Sequence, residues 1–277
     1  MFCLIEPFSI DSCPSHVNTV CIYFSKFFGT SMKKTEKKVD RPGEMLYGAH
    51  AIIEMLKAKR RKLVSLYTTK PYPRAWIRLQ PHIPKSVPNI QYVTKDVLDR
   101  MSNNAEHMGV IAWVSPFKFA SKMFTPEKYP FILLLDSIQD VRNLGAILRS
   151  AYCTGVTGVV LCKSLSAPLT AAAIKASAGL SEHLDIYVAA SMSQAVLEAK
   201  KAGYNLYMAV LNGANASTIS YQKPACLVIG NEATGIQPSM RKEGTLITLP
   251  QRTPDISYNA SVAAGILLYV ISQKIAE

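Results

Sequence analysis

The sequence lacks the patterns that mark metal, disulfide and membrane proteins. Its six cysteines include no CxxC pair, and its five histidines form no cluster with metal-ligand spacing, so a zinc site and a disulfide framework are both disfavoured. The longest run of Ile, Leu and Val covers only residues 132–135, which is too short to cross a membrane. Neither GxGxxG nor GxxxxGK[ST] occurs, so the two commonest nucleotide-binding loops are absent. We expect a cytoplasmic protein that holds no metal.

Positive charge is abundant but unevenly placed. The formal net charge is +12, and residues 33–100 contain 16 Lys and Arg against 6 Asp and Glu. Residues 131–277 contain 11 against 9, so this second stretch is nearly neutral. A basic segment beside a neutral one suggests a module that grips a polyanion next to a module that binds a ligand or carries out catalysis. The alternative is a solvated, lysine-rich surface.

Breaks in the sequence divide the chain into four segments. Residues 1–44 form a leader that ends at a Pro-Gly pair. We expect either that Met32 is the true start or that residues 1–31 are disordered. Residues 45–115 have the pattern of a compact αβ domain. Residues 116–130 contain three prolines, which predicts a linker or a crossing segment, and residues 131–277 form the second domain.

Hydrophobic periodicity predicts an α/β fold. In the first domain it indicates helices at 49–59 and 95–101, strands at 63–67, 90–93 and 110–114, and a proline-broken helical connection at 71–88. In the second domain strands at 131–135, 158–162, 184–188, 206–210, 226–229 and 246–249 alternate with helices at 145–153, 170–178, 193–202 and 261–274. This alternation predicts a mostly parallel sheet with helices on both faces.

Three patches in the second domain combine Gly, Asn, Ser and isolated charges at the ends of predicted strands. They are DSIQDVRNLGAILR at 136–149, GNEATG at 230–235 and LPQRTPDISYNAS at 249–261. In open α/β sheets, ligands bind outside the carboxyl ends of the strands. The three patches therefore predict one composite site at one edge of the sheet.

These patches resemble the three motifs of the SpoU/TrmH family of RNA ribose 2′-O-methyltransferases, which belong to the SPOUT class. The matching segments are NLGA at 143–146 with Arg149, GNE at 230–232 with Gly235, and SYNASVA at 257–263. LYGAHAIIEMLKAKRRKL at 46–63 and HMGVIAWV at 107–114 resemble the RNA-binding domain of the RlmB type, which methylates a 23S rRNA guanosine. The resemblance covers roughly residues 45–273.

The resemblance implies properties that composition and periodicity do not reveal. It implies S-adenosyl-L-methionine (AdoMet) as methyl donor, a carboxyl-terminal trefoil knot, and a homodimer whose sites form near the subunit interface. It also implies methyl transfer to a ribose 2′-hydroxyl of RNA, with a 23S rRNA guanosine as the expected target. The alternatives are a tRNA 2′-O-methyltransferase and a non-catalytic RNA-binding or ribosome-assembly protein.

Five residues are the candidates for catalysis. Arg149 matches the arginine proposed as catalytic in the family, and because a guanidinium stays protonated we expect it to stabilise alkoxide charge or clamp a phosphate. Asn143 either caps the following helix or orients Arg149 or the ribose, and Glu232 either caps backbone amides or pairs with Arg149. Asn259 and Ser257 either cap the last helix or position the cofactor and ribose.

The expected cofactor contacts come largely from backbone atoms. The resemblance assigns them to Gly230, Leu249 and Tyr258, with Asn259 beside them. Leu211 lies in the segment 208–213, which we interpret as either a wall for adenosine or a plain turn. Where the family usually has Pro-Met-x-Gly, this chain has PQRT at 250–253, which loses a glycine from the cofactor loop.

A cluster of basic residues ends the first predicted helix of the αβ domain. It consists of Lys59, Arg60, Arg61 and Lys62. Cations at this position suit the helix dipole. As an RNA contact the cluster would bind phosphates and make affinity depend strongly on salt concentration.

Overall fold

The computed structural model of the chain describes residues 43–86, 89–164, 166–231, 233–253 and 257–276. Most of the predicted leader, residues 1–42, lies outside this part. Within it, no helix is both long and apolar enough to cross a membrane.

The first sheet is mixed. Among the described residues it has the strands β1 (Glu44–Tyr47), β2 (Leu63–Thr68), β3 (Ile90–Tyr92) and β4 (Val110–Val114), in the order β1-β4-β2-β3. Strand β4 is antiparallel to β1 and β2, whereas β2 and β3 are parallel. Its helices are α1 (Ala49–Ala58), α2 (Arg74–Leu79) and α3 (Lys95–Met101). Strand β1 was not predicted, and the proline-broken connection contains α2 followed by a 3-10 turn.

The second sheet is parallel throughout. Its described strands are β5 (Phe131–Leu135), β6 (Gly158–Cys162), β7 (Asp185–Ala189), β8 (Asn205–Asn215), β9 (Ala225–Ile229) and β10 (Thr245–Thr248), in the order β10-β8-β9-β5-β6-β7. Its helices are α4 (Val141–Cys153), α5 (Ala171–Ala176), α6 (Met192–Lys201), α7 (Pro238–Arg241) and α8 (Ala260–Ala276). The order reverses between β5 and β9, which creates the kind of crevice where ligands bind.

The core lies on both faces of this second sheet. The central strands β5, β6 and β9 are buried at every position, as expected for a parallel sheet covered on both sides. Apolar residues of α4, α5 and α8 pack on one face, and those of α6 and α7 pack on the other. The predicted α/β fold is confirmed, whereas the trefoil knot stays a prediction.

Residues 116–130 pack against the second sheet. The backbone N–H of Ala120 donates to the carbonyl of Ile186 at 2.7 Å, and Phe124 is buried. An added Cβ at Gly158 would lie 2.7 Å from the Phe124 ring, so β6 needs glycine at this point. Of the two alternatives for this segment, the structure shows a crossing segment. The division into domains on either side of it stays a prediction.

Gly145 allows two helices of the second sheet to approach closely. A Cβ at this position would lie 2.4 Å from the Cβ of Ala176 and 2.5 Å from the carbonyl oxygen of Ala173. The glycine of the first motif therefore lets α4 pack closely against α5.

A buried ion pair joins the two sheets. Arg61 lies between α1 and β2, and its guanidinium donates to Glu182 at 2.9 Å, to Glu44 at 2.6 Å and to the carbonyl of Ser115 at 2.7 Å. The side chains of Arg61 and Glu182 are 1% and 0% exposed. Burial raises the pKa of Glu182, and Arg61 offsets part of this rise. Removing Arg61 would thus leave a carboxylate in a site that water does not reach.

We expect Arg61→Met to lower the free energy of unfolding by about 3–5 kcal/mol, because it removes one partner of a buried ion pair and leaves the other without its counter-charge. The neighbouring Lys62 is exposed, so Lys62→Met provides a matched control, with an expected change within about 0.5 kcal/mol. Urea unfolding of both variants measures the difference. Similar midpoints for the two variants would contradict a stabilising role for the Arg61 ion pair.

Candidate active site

A cavity of about 540 Å³ opens at the carboxyl ends of β8, β9 and β10. Strand β8 pairs with β10 at Met208 and again at Ala214, but the partners on β10 are the consecutive residues Leu246 and Ile247. The intervening residues of β8 therefore bulge away from the sheet. Leu211 lies in this bulge, lines the cavity and is 60% exposed, and its carbonyl accepts a hydrogen bond from the Thr248 hydroxyl at 2.9 Å.

The loop of the second motif is tied to the loop of the first by an asparagine side chain. The Asn231 amide donates to the carbonyl of Ser137 at 3.1 Å, and its oxygen accepts from the backbone N–H of Ala233 at 2.8 Å. Ser137 has a φ of 53°, a left-handed conformation that is unusual for serine. Neither residue has a predicted role of its own. The signal available for Asn231 was its position two residues after a buried strand.

Gly230 lies where this loop turns back on itself. An added Cβ would be 2.4 Å from the carbonyl carbon of Gly235 and 2.5 Å from the backbone nitrogen of Ile236. Both neighbouring atoms belong to the backbone, so the loop could accept a side chain only by opening. The compact turn requires glycine at position 230.

The loop of the third motif is joined to the first motif by a second asparagine. The Asn259 amide donates to the side-chain oxygen of Asn143 at 3.3 Å. The Asn259 oxygen accepts from the backbone N–H of Ser261 at 2.9 Å, which caps the amino terminus of α8. Asn259 thus caps the last helix, as one of its two alternatives predicts, and its role in positioning the cofactor and ribose stays a prediction.

Asn143 does not cap α4, contrary to one of its two predicted roles. The helix starts four residues before the predicted position, at Val141, and Asp140 is the cap, accepting from the backbone N–H of Arg142 at 2.7 Å. The side-chain hydrogen bond from Arg142 also lowers the pKa of Asp140. Asn143 lies in the first turn of α4, where its side chain is available to Asn259.

Arg149 lies on an exposed part of α4. Its guanidinium forms no ion pair or hydrogen bond with a described residue, and Arg149 is not among the described residues that line the cavity. Six residues separate it from Asn143, which corresponds to about 9 Å along the helix and about 240° around it. The structure therefore does not bring these two catalytic candidates together within one chain. Glu232, the predicted partner of Arg149, lies outside the described residues.

The cavity is lined by the cofactor candidates. The predicted residues around it are Leu211, Gly230, Leu249, Ser257, Tyr258 and Asn259. Gln251, from the segment that departs from the family pattern, also lines it. The side-chain oxygen of Gln251 is buried and has no hydrogen-bond partner among the described residues. An unsatisfied acceptor in a cavity wall favours a ligand that donates a hydrogen bond.

Two of the four residues in the basic cluster at the end of α1 are ion-paired with acidic residues. The RNA contact of this cluster stays a prediction. Arg61 is buried in the ion pair described above, and Arg60 donates to Asp185 at 2.8 Å and to the carbonyl of Leu184 at 2.9 Å. Lys59 and Lys62 are exposed. Sequence alone could not separate the buried from the exposed members, because Asp185 and Glu182 lie more than 120 residues away from the arginines that they pair with.

Within the described ranges, no three His, Cys, Asp or Glu side chains converge as metal ligands. The cavity is lined by apolar side chains, by amide and hydroxyl side chains, and by Arg241. This composition suits an organic ligand with an aromatic ring and several polar groups.

Known protein families match both sheets. The family model described as "SpoU rRNA Methylase family" matches residues 130–269, and the model for "RNA 2'-O ribose methyltransferase substrate binding" matches residues 45–120. The chain belongs to the SpoU rRNA methylase family. The members of this family are AdoMet-dependent RNA 2′-O-ribose methyltransferases. The three motif loops lie within the matched residues.

Individual relatives support the family assignment. The chain is 32% identical over 242 residues to an uncharacterised tRNA/rRNA methyltransferase of Synechocystis, a match that spans 83% of this chain and 62% of that relative. It is 30% identical over 243 residues to the 23S rRNA (guanosine-2'-O-)-methyltransferase RlmB of Haemophilus influenzae, spanning 83% of this chain and 98% of the relative. The match to the Haemophilus influenzae protein thus spans nearly the whole length of that relative.

The fold is also shared with a solved structure. The AdoMet-bound rRNA methyltransferase from Sinorhizobium meliloti superimposes with a TM-score of 0.69 at 22% identity, covering 84% of this chain and 87% of that one. At this level of identity the similarity establishes the fold. It agrees with the order of strands and helices described above.

Proposed function

We propose that the protein transfers a methyl group from AdoMet to the ribose 2′-hydroxyl of an RNA nucleotide in the cytoplasm, with a 23S rRNA guanosine as the target. The observation that carries this proposal is the joining of all three motif loops at one cavity. Asn231 connects the second motif to the first, and Asn259 connects the third to the first. The identity of the base rests on the similarity to the RlmB protein of Haemophilus influenzae.

The cavity suits AdoMet in size and in chemistry. Its volume of about 540 Å³ falls within the range of roughly 300–1,000 Å³ that is typical of cofactor sites. Apolar side chains of Ile229, Ile247 and Leu267 provide surfaces for an aromatic ring. The unsatisfied oxygen of Gln251 offers an acceptor for an amino or ammonium group of the ligand. The loss of the family's glycine at this loop is therefore compatible with a cofactor.

The residues of the cavity would hold the reacting groups in line. AdoMet supplies a methyl group on a positively charged sulfur. Gly230, Leu249 and Tyr258 would hold the cofactor largely through backbone atoms, and Asn259, held by its own hydrogen bonds, would orient the ribose. Alignment of donor and acceptor is itself a large part of catalysis in such transfers.

Arg149 would act on the acceptor rather than on the cofactor. A guanidinium remains protonated, so it serves poorly as a base but stabilises the negative charge that develops on a ribose oxygen. Its exposure and its lack of a partner among the described residues leave its donors available to RNA. Arg149 does not line the cavity of its own chain, so it would reach a cofactor there only with a further rearrangement or from a second copy.

An exposed apolar stripe on α8 supports the proposal of a homodimer. Val262, Ile266 and Tyr269 follow each other at helical spacing and are 48%, 38% and 60% exposed. A second copy packed on this stripe would lie beside α4, because α8 contacts α4 where Gly265 faces Ser150. Such a dimer offers a route by which Arg149 of one copy could serve the cavity of the other.

The substrate is tested by methyl transfer in vitro. We expect AdoMet carrying a labelled methyl group to modify 23S rRNA, and the modified position to resist alkaline cleavage because its 2′-oxygen is blocked. A tRNA pool assayed in parallel is expected to stay unlabelled. Labelling of tRNA alone would replace rRNA by tRNA in the proposal, and the absence of label from both RNAs would contradict the enzymatic function.

We expect Arg149→Lys to lower the rate of methyl transfer by about 100-fold or more, because lysine lacks the planar pair of donors that stabilises developing charge. Arg142→Lys is the matched control, since Arg142 lies seven residues earlier on the same exposed side of α4. Single-turnover rates with saturating RNA measure the difference. Equal rates for the two variants would exclude a specific role for the Arg149 guanidinium.

A further inference from the structure

Two exposed tyrosines come together where the parallel strands β2 and β3 end. Thr68 on β2 is paired with Tyr92 on β3, and the backbone N–H of Val93 donates to the carbonyl of Thr68 at 2.9 Å. Tyr72 follows four residues after the end of β2. Because parallel strands end at the same edge of the sheet, this connection brings Tyr72 next to Tyr92. We call these two residues the tyrosine platform.

Both rings of the platform are open to solvent, and the Tyr72 ring is stacked on a buried tryptophan. Tyr72 stacks on Trp76 with 5.8 Å between ring centroids and an interplanar angle of 11°, and Trp76 itself is only 3% exposed. Tyr92 lies 6.0 Å from Tyr72 at 58°. The two tyrosines are 48% and 47% exposed. Two aromatic rings of this size would ordinarily be buried if their only role were packing.

The loop that carries Tyr72 is anchored to the sheet. An added Cβ at Gly109 would lie 2.8 Å from the Pro73 ring, so Pro73 packs tightly over the turn before β4. The Thr68 hydroxyl donates to the carbonyl of Gly109 at 3.0 Å. The platform is therefore held in place before any ligand binds, which lowers the entropic cost of binding.

The positive charges around the platform are not paired with any acidic residue that the structure describes. The Lys70 ammonium lies 4.3 Å from the centroid of the Tyr92 ring, and Arg74 and Arg78 are exposed on α2. Within the described part of the chain no carboxylate pairs with these three side chains, in contrast to the ion-paired Arg60 and Arg61. The sequence has no Asp or Glu from residue 55 to residue 95. The patch is thus suited to a polyanion.

We propose that the tyrosine platform stacks bases of a single-stranded segment of the RNA substrate, with Lys70 and Arg74 on the adjacent phosphates. Unpaired bases stack on aromatic side chains, whereas the bases of an A-form duplex are not accessible in this way. The site differs from the basic cluster of α1, and it rests on the proposed function only in taking the ligand to be the RNA substrate.

Binding of short oligonucleotides without AdoMet tests the platform. The probes are a fluorescein-labelled single-stranded RNA of twelve nucleotides and a GC-rich RNA duplex of similar length. The variants are Tyr72→Leu, Tyr92→Leu and the corresponding Tyr→Phe changes. Phe119→Leu serves as the control, because Phe119 is 45% exposed and lies outside the patch. Circular dichroism verifies that each variant is folded.

We expect each Tyr→Leu change to weaken binding of the single strand about tenfold, in keeping with the contribution of one base stacked on one ring. Tyr→Phe and Phe119→Leu are expected to stay within about twofold of the unchanged protein, since both leave the platform rings in place. Affinity for the duplex should be unchanged in every variant. Leucine variants that bind the single strand as well as the unchanged protein would overturn the proposal, as would a protein that binds neither probe.

The result of the oligonucleotide-binding experiment does not depend on the result of the methyl-transfer assay. If the unchanged protein transfers no methyl group to RNA but its single-strand affinity still depends on the two tyrosine rings, the proposed function fails and the platform stands. If it methylates RNA while the leucine variants lose neither affinity nor activity, the platform fails and the proposed function stands.

Discussion

The site depends on two asparagine side chains that hold three separate loops at one edge of a parallel sheet. Asn231 links the second motif to the backbone after β5, and Asn259 links the third motif to Asn143 on α4. Gly230 completes the arrangement, because its turn leaves no room for a side chain. Amides suit this role, since each can donate and accept at once without the cost of burying a charge. These contacts join loops that line the cavity.

Much of the fold could be predicted because the strands of a buried parallel sheet are continuous hydrophobic runs in the sequence. Strands β5 and β6 and helix α3 have the predicted bounds. The motif loops were correctly expected to meet, since the carboxyl ends of parallel strands share one edge. Local signals were less reliable at the ends of elements. Helix α4 begins at Val141 because Asp140 caps it, whereas one of the two roles predicted for Asn143 was to cap this helix.

The rest could not be predicted because it depends on contacts distant in sequence. Arg61 and Lys62 are adjacent and chemically similar, yet only Arg61 meets Glu182, 121 residues later. The bulge that exposes Leu211 arises from a register shift against β10, and register is not visible in composition. The tyrosine platform needs the pairing of β2 with β3. In each case a local pattern permitted several roles, and tertiary contacts selected one.

The most direct test of this account is calorimetric titration of AdoMet into the unchanged protein and into Gly230→Ala, with circular dichroism to verify that both are folded. If the three motif loops that Asn231 and Asn259 join form the cofactor cavity, the unchanged protein binds one AdoMet per chain. The added methyl group, 2.4 Å from the backbone of Gly235, then opens the loop and abolishes saturable binding. No saturable heat with the unchanged protein, or equal affinity in the variant, would contradict the account.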